Sequence, residues 1–86
     1  MQMREVEIVN PTGLHTRPGN IFVKKAKEYA ANVTIIKGNK RVNAKSLLTV
    51  MKVGISQGDV ITIEADGIDE ADAITGLAEL IASFTE

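Results

Sequence analysis

The sequence predicts an α+β fold, an open-faced two-layer β-sandwich in which three helices cover one face of a four-stranded antiparallel sheet. Its predicted elements follow the order βαββαβα, and 86 residues suit a single domain spanning positions 1–86. The strand segments alternate apolar and polar residues, as is typical of antiparallel sheets with one solvated face. Hydrophobic residues make up 44% of the chain and aromatic residues only 3%, so we expect an aliphatic core.

The strands are predicted from their period-two alternation. Alternating apolar residues mark three of them: Val6 and Ile8 in the first, Val33 and Ile35 in the second, and Ile61, Ile63 and Ala65 in the fourth, which spans Val60 to Asp66. Gly38-Asn39 is a two-residue hairpin signal of the II′ type, and a short third strand is expected from Lys40 to Asn43.

Three segments show the spacing of amphipathic helices. The first begins near Pro18, and its apolar face comprises Phe22, Val23, Ala26, Tyr29 and Ala30. A short second helix is expected between Ser46 as N-cap and Gly54. The third has Asp69 as N-cap, and its apolar positions are Ile74, Leu77, Ala78 and Ile81. Gly76 weakens it by roughly 1 kcal/mol relative to Ala, and we expect this glycine to allow a close approach to the sheet.

Composition excludes several classes of function. Ten basic and eleven acidic residues leave a formal charge of −1, without the basic excess or the exposed aromatics of a nucleic-acid binder. The chain has no cysteine, which removes disulfides and thiolate metal sites. It shows neither an apolar signal-peptide segment nor a run of about 20 apolar residues. We therefore expect a cytoplasmic, soluble protein without membrane insertion.

The only histidine, His15, stands where a loop meets a predicted helix N-terminus. The amide groups and dipole of a first helical turn form an anion site, and Arg17 adds a guanidinium suited to phosphate oxygens. A nucleophile, an anion cradle and a cation together suit phosphoryl transfer. A polar loop residue or N-cap without chemistry is the alternative. With no second histidine and no motif of a hydrolase, we expect no metal, no cofactor and no hydrolytic triad.

The segment Gly13-Leu14-His15-Thr16-Arg17-Pro18 resembles the signature G-[LI]-H-[AT]-R-P of the HPr family, the histidine-containing phosphocarriers of the bacterial sugar phosphotransferase system. The resemblance implies that enzyme I, charged from phosphoenolpyruvate, phosphorylates His15 on Nδ1. It also implies that Arg17 stabilises the phosphoryl group and that enzyme IIA domains accept it. Such a protein is a carrier and not a free-standing enzyme. Gly19 departs from the family, which often has Ala there.

A second segment, Asn43-Ala44-Lys45-Ser46-Leu47-Leu48, is similar to the family's regulatory serine segment, and the similarity continues through residues 50–54 and 57–59. In Gram-positive relatives an HPr kinase/phosphorylase modifies this serine, and the product acts with catabolite control protein A. The resemblance therefore implies that Ser46 is a regulatory phosphorylation site. An N-cap with no further role is the alternative.

A shuttle that serves several partners needs a surface for transient docking. We expect Leu47 and Met51 to form an exposed patch, and Leu48 and Val50 to pack on the core. The polar rim is expected to consist of Thr16, Arg17, Asn20, Lys24 and Lys27. A monomer is the expected state.

Two alternatives of the same fold stay open. One is a regulatory binding module that works through Ser46 alone; paralogues of that kind lack the active histidine, which is present here. The other is a phosphocarrier of the nitrogen-related branch, which shares the histidine signature, although the Ser46 segment fits the sugar branch better. The sequence does not indicate which sugars are served.

Overall fold

The computed structural model describes residues 1–85 and confirms the predicted order of elements. In chain order these are β1 (Gln2–Glu7), α1 (Thr16–Lys27), β2 (Asn32–Lys37), β3 (Lys40–Asn43), α2 (Leu47–Val53), β4 (Val60–Asp66) and α3 (Glu70–Ser83). The strands form one sheet in the order β1-β4-β2-β3, and every neighbouring pair is antiparallel. The fold is the predicted α+β open-faced sandwich.

The alternation along β4 separates the two faces of the sheet. Ile61 and Ile63 are fully buried beneath the helices, whereas Thr62 and Glu64 lie half-buried on the open face. The register carries this division to β2, since the buried Ile35 is paired with Ile63. On the open face, Arg41 Nη2 lies 2.7 Å from Glu64 Oε1.

The helices form the second layer, in which α3 packs on β1 and β4 while α2 packs on β3 and α1. The expected aliphatic core is present between the layers. Its largest fully buried side chains are Phe22, Ile8, Ile35, Ile61, Ile63, Leu77 and Ile81. Tyr29 and Phe84 pack against this core while partly buried.

The predicted turns and caps are found at their positions. Gly38 has a φ of 60° and Asn39 does not have a positive φ, as a II′ turn requires. Ser46 is the N-cap of α2, where its Oγ accepts a hydrogen bond of 3.5 Å from the Thr49 amide. Gly54 ends α2 in the left-handed conformation.

Two details of the predicted helices are wrong. Helix α1 ends at Lys27, so Tyr29 and Ala30 lie beyond it, and Ala30 is exposed. Gly76 faces the Tyr29 side chain and not the sheet, because a Cβ there would meet the Tyr29 hydroxyl. The small residue therefore makes room for the segment after α1.

Asp69 is the N-cap of α3 as predicted, but its side chain makes no hydrogen bond with its own helix. Its carboxylate accepts hydrogen bonds of 2.8 Å each from the amides of Ala30 and Ala31. Asp69 therefore joins the start of α3 to the segment between α1 and β2. Within residues 1–85, no helix has the length and apolar character needed to cross a membrane.

Candidate phosphorylation site

His15 is the N-cap residue of α1, so it lies at the predicted junction of loop and helix, although the helix begins at Thr16 and not near Pro18. Its backbone is extended, with φ −76° and ψ −168°, and its side chain makes no capping hydrogen bond. Its carbonyl oxygen accepts the Gly19 amide at 2.7 Å, the first turn of the helix. The residue is exposed, so its backbone starts the helix while the imidazole stays accessible.

Hydrogen bonds and a buried side chain fix the loop before His15. Asn10 is 2% exposed, and its Nδ2 donates to the Gly13 carbonyl at 2.8 Å. The Leu14 side chain is buried in the core, and its amide donates to the Ile55 carbonyl at 3.2 Å. These contacts fix the backbone on which the imidazole stands.

A shallow depression of about 280 Å³ lies beside the imidazole and is lined by Thr12, His15, Thr16, Arg17 and Pro18. It opens at the start of α1, where first-turn amide groups lack intrahelical acceptors and favour an anion. Arg17 is exposed at the same place and brings a cation to it. The predicted grouping of nucleophile, helix N-terminus and guanidinium is therefore present in one depression.

A second depression, of about 140 Å³, joins His15 to the end of α2. Its lining comprises Thr12, Leu14, His15, Met51, Gly54, Ile55 and Ser56. The helix that begins at Ser46 thus ends beside the histidine. The two sequence motifs belong to one side of the molecule.

The predicted polar rim lies along one helix. Thr16, Arg17, Asn20, Lys24 and Lys27 are all exposed on α1. These positions recur every three or four residues, so they form a stripe that begins at the histidine. The stripe carries three cationic side chains.

The predicted apolar patch needs correction at both Leu47 and Leu48. Leu48 is 66% exposed and does not pack on the core, whereas Val50 is fully buried as expected. Leu47 and Met51 are half-buried, and Leu47 packs against the core. The most exposed apolar side chain of α2 is thus Leu48, next to the residues assigned to docking.

The sequence interpretation also missed Ile21, which is 43% exposed on α1. A signal for both residues exists in the helical spacing. Lys52 stands four positions after Leu48, and Arg17 four positions before Ile21, so each apolar residue shares a face with an exposed cation. This spacing alone does not decide exposure, because Val23 also stands four positions before an exposed lysine and is buried.

Comparisons with known proteins identify the family of the chain. The family model described as "PTS HPr component phosphorylation site" matches residues 2–83. The phosphocarrier protein HPr of Haemophilus influenzae is 43% identical over 84 residues, covering 98% of this chain and 99% of that protein.

Solved structures show the same fold. The HPr structure from Thermoanaerobacter tengcongensis superposes with a TM-score of 0.95 at 44% identity, covering 96% of this chain and 93% of that one. Crh, a catabolite repression protein of Bacillus subtilis, gives a TM-score of 0.78 at 35% identity, covering 100% and 99%. The family model matches nearly the whole length of the chain, and the histidine segment is intact at the exposed N-cap of α1. This protein therefore belongs to the HPr family of the phosphotransferase system.

Proposed function

We propose that this protein is a phosphocarrier that accepts a phosphoryl group on His15 from phosphorylated enzyme I and passes it to enzyme IIA domains. The observation that carries the proposal is the exposed imidazole at the N-terminus of α1, in one depression with Arg17. Since no pocket encloses this site, a protein partner can present its own phosphorylated residue directly to the imidazole.

The reaction needs little from the carrier beyond position and charge. A lone pair of the His15 imidazole, on Nδ1 by similarity to the family, attacks the phosphorus of the donor's phosphoryl group. A P–N bond forms to His15 while the bond between phosphorus and the donor residue breaks, and the donor residue takes back the electron pair. The first turn of α1 and the Arg17 guanidinium stabilise the phosphoryl oxygens. Transfer to the next protein reverses these roles.

The stripe on α1 and the exposed part of α2 form the docking surface in this proposal. Lys24 and Lys27 suit acidic partners, while Leu48 and Ile21 supply exposed apolar area beside them. Leu47 and Met51 contribute their accessible parts. A surface used by several partners in turn favours modest, transient contact, and we propose that the carrier acts as a cytoplasmic monomer.

A relay assay tests the carrier function. Labelled phosphoenolpyruvate and enzyme I are incubated with wild type or His15→Ala, and an enzyme IIA domain is then added. We expect label to reach the IIA domain only through wild type. Relay through His15→Ala, or no relay through wild type while a known HPr works, would contradict the proposal.

We propose further that Ser46 is a regulatory phosphorylation site for an HPr kinase/phosphorylase, whose product would act with catabolite control protein A. Ser46 is partly exposed and caps α2, a position where added negative charge is favourable for the helix. A purified HPr kinase with ATP should label wild type and not Ser46→Ala, with Thr49→Val as control. Absence of label on the folded wild type would count against this role.

The similarity to Crh gives a second candidate, a regulatory module that binds through Ser46 without carrying phosphate on histidine. The exposed histidine in its intact segment favours the carrier. The relay assay separates the two functions, because a pure binding module would fail it while still accepting phosphate on Ser46.

A further inference from the structure

The loop that follows α2 forms the floor beneath the His15 loop. Gly54, Ile55 and Ser56 line the smaller depression next to the imidazole. The Ile55 carbonyl accepts the Leu14 amide at 3.2 Å. A Cβ at Gly13 would lie 2.8 Å from Ser56 Cα, so the two backbones are in direct contact. Any shift of residues 54–56 must therefore shift the backbone that bears His15.

A pair of charged side chains bonds to both ends of this floor. Lys37 Nζ, at the end of β2, donates to the Gly54 carbonyl at 2.9 Å and lies 2.8 Å from Asp59 Oδ2. The same carboxylate oxygen accepts the Ser56 amide at 2.7 Å. Lys37 and Asp59 thus bind the floor at both of its ends, Gly54 and Ser56.

The pair is more than a surface ion pair in its geometry. The two side chains are 31% and 28% exposed, and each also bonds to backbone of the loop. The hydrogen bond from Lys37, together with the one from the Ser56 amide, holds the pKa of Asp59 below its ordinary value. The carboxylate is therefore charged at neutral pH, and the contact with Lys37 persists there.

We propose that Lys37 and Asp59 are positioning residues for the phosphorylation of His15. They act through Gly54, Ser56 and the Leu14–Ile55 contact, and neither touches the transferred group. Lys37 lies outside both sequence motifs. Its proposed role rests on its contacts with Asp59 and with the Gly54 carbonyl. The proposal rests on the carrier function proposed above.

Loss of either residue should misplace the imidazole without unfolding the protein. Small displacements of a reacting group can cost up to about a hundredfold in rate, and a loosened floor is a milder change, so we expect a roughly three- to tenfold loss. Since neither side chain belongs to the buried core, both variants should fold, which their circular dichroism spectra check.

The test compares Lys37→Met, Asp59→Ala and the double variant with Arg41→Met. Arg41 is the matched control, since it forms an ion pair of 2.7 Å with Glu64 on the open face of the sheet, opposite the helix layer. The kinetics of phosphorylation by enzyme I are followed over a range of carrier concentrations. We expect kcat to fall three- to tenfold with KM unchanged, the double variant to be no slower than the single ones, and Lys37→Arg to restore the rate. Arg41→Met should match wild type.

A second measurement needs no phosphoryl transfer. The imidazole resonances of His15 in the unphosphorylated protein should shift in Lys37→Met and Asp59→Ala but not in Arg41→Met. Unchanged resonances with unchanged kcat, or equal effects from Arg41→Met, would overturn the positioning role. If wild type accepts no phosphoryl group, the carrier function fails, and the resonances still decide whether Lys37 and Asp59 position the histidine.

Discussion

Gly13 is the residue on which the packing of the histidine loop depends. Its φ of 61° is in the left-handed region, and a Cβ there would meet the backbone of Ile55 and Ser56. Gly54 also has a positive φ, 72°, but a Cβ there would find nothing within 4 Å. At Gly13, both the backbone conformation and the lack of space disfavour a side chain, whereas at Gly54 only the backbone conformation does.

Substitution of these two glycines separates the effects. Gly54→Ala should cost about 1 kcal/mol, the penalty of a left-handed conformation for alanine. Gly13→Ala should cost a further 1–3 kcal/mol or so, because backbone atoms must move to admit the methyl group. Urea denaturation of both variants measures the difference. Equal losses of stability would show that the histidine loop can move away from its floor at no cost.

Residues whose role is local could be predicted from the sequence. The roles of Ser46 as N-cap and of Gly38 in its turn follow from cap and turn chemistry within a few positions along the chain. The bonds of Asp69 could not be predicted, since its partners Ala30 and Ala31 are 39 and 38 residues away. Tertiary contact replaced the local capping bond.

At the scale of elements, α2 shows how a short helix is stabilised. Its seven residues are too few for a stable isolated helix. Thr49 adds to the Ser46 cap, since its Oγ1 donates to the Asn43 carbonyl at 2.8 Å. Gly54 ends the helix at the floor of the histidine loop. The fixed ends of α2 therefore place Ser46 and the His15 depression at a set separation.

The link between α3 and the segment after α1 should give the stability a dependence on pH. Hydrogen bonds from the Ala30 and Ala31 amides hold the pKa of Asp69 below its ordinary value of 3.8. A lowered folded-state pKa stabilises the fold above the unfolded value, and this stabilisation is lost as pH falls through the folded value. Wild type should therefore exceed Asp69→Asn in stability at pH 7, with the difference shrinking below pH 3.8.

Thermal unfolding of wild type and Asp69→Asn between pH 7 and pH 2 measures this difference. Glu79→Gln, an exposed charge change on the same helix, is the control and should follow wild type across the range. A difference between wild type and Asp69→Asn that stays constant down to pH 2 would contradict the assigned role of the carboxylate.

At the scale of the whole molecule, the fold could be predicted because the strands β2 and β4 and the two long helices each have one clear apolar side, whereas β1 and β3 bury no residue fully. The buried side of the short helix α2 could not be predicted in this way, because Leu47 and Leu48 are adjacent and equally apolar. The tertiary packing decides between them. Leu47 packs against the core and lies at ordinary contact distance from Gly19 of α1. Leu48 is left on the outer surface of α2.

If Leu48 belongs to the docking surface, substitutions of Leu48 and Val50 should have opposite effects on stability and on the KM for enzyme I. Leu48→Ala should change stability by less than about 0.5 kcal/mol, because the side chain is exposed, while raising the KM for enzyme I several-fold. Val50→Ala, which empties a fully buried position, should cost roughly 2 kcal/mol and leave KM unchanged in the folded protein. Steady-state phosphorylation and urea denaturation measure the two quantities. Leu48→Ala with wild-type KM would remove this residue from the surface.

Covalent phosphorylation of His15 tests the central claim most directly. Intact-protein mass spectrometry at neutral pH, after incubation with phosphoenolpyruvate and enzyme I, should show one added phosphoryl group on wild type and on Ser46→Ala. It should show none on His15→Ala, and brief acid treatment should remove the group from wild type. A phosphoryl group on folded His15→Ala, or none on wild type under conditions that modify a known HPr, would contradict the assignment of His15 as the carrier.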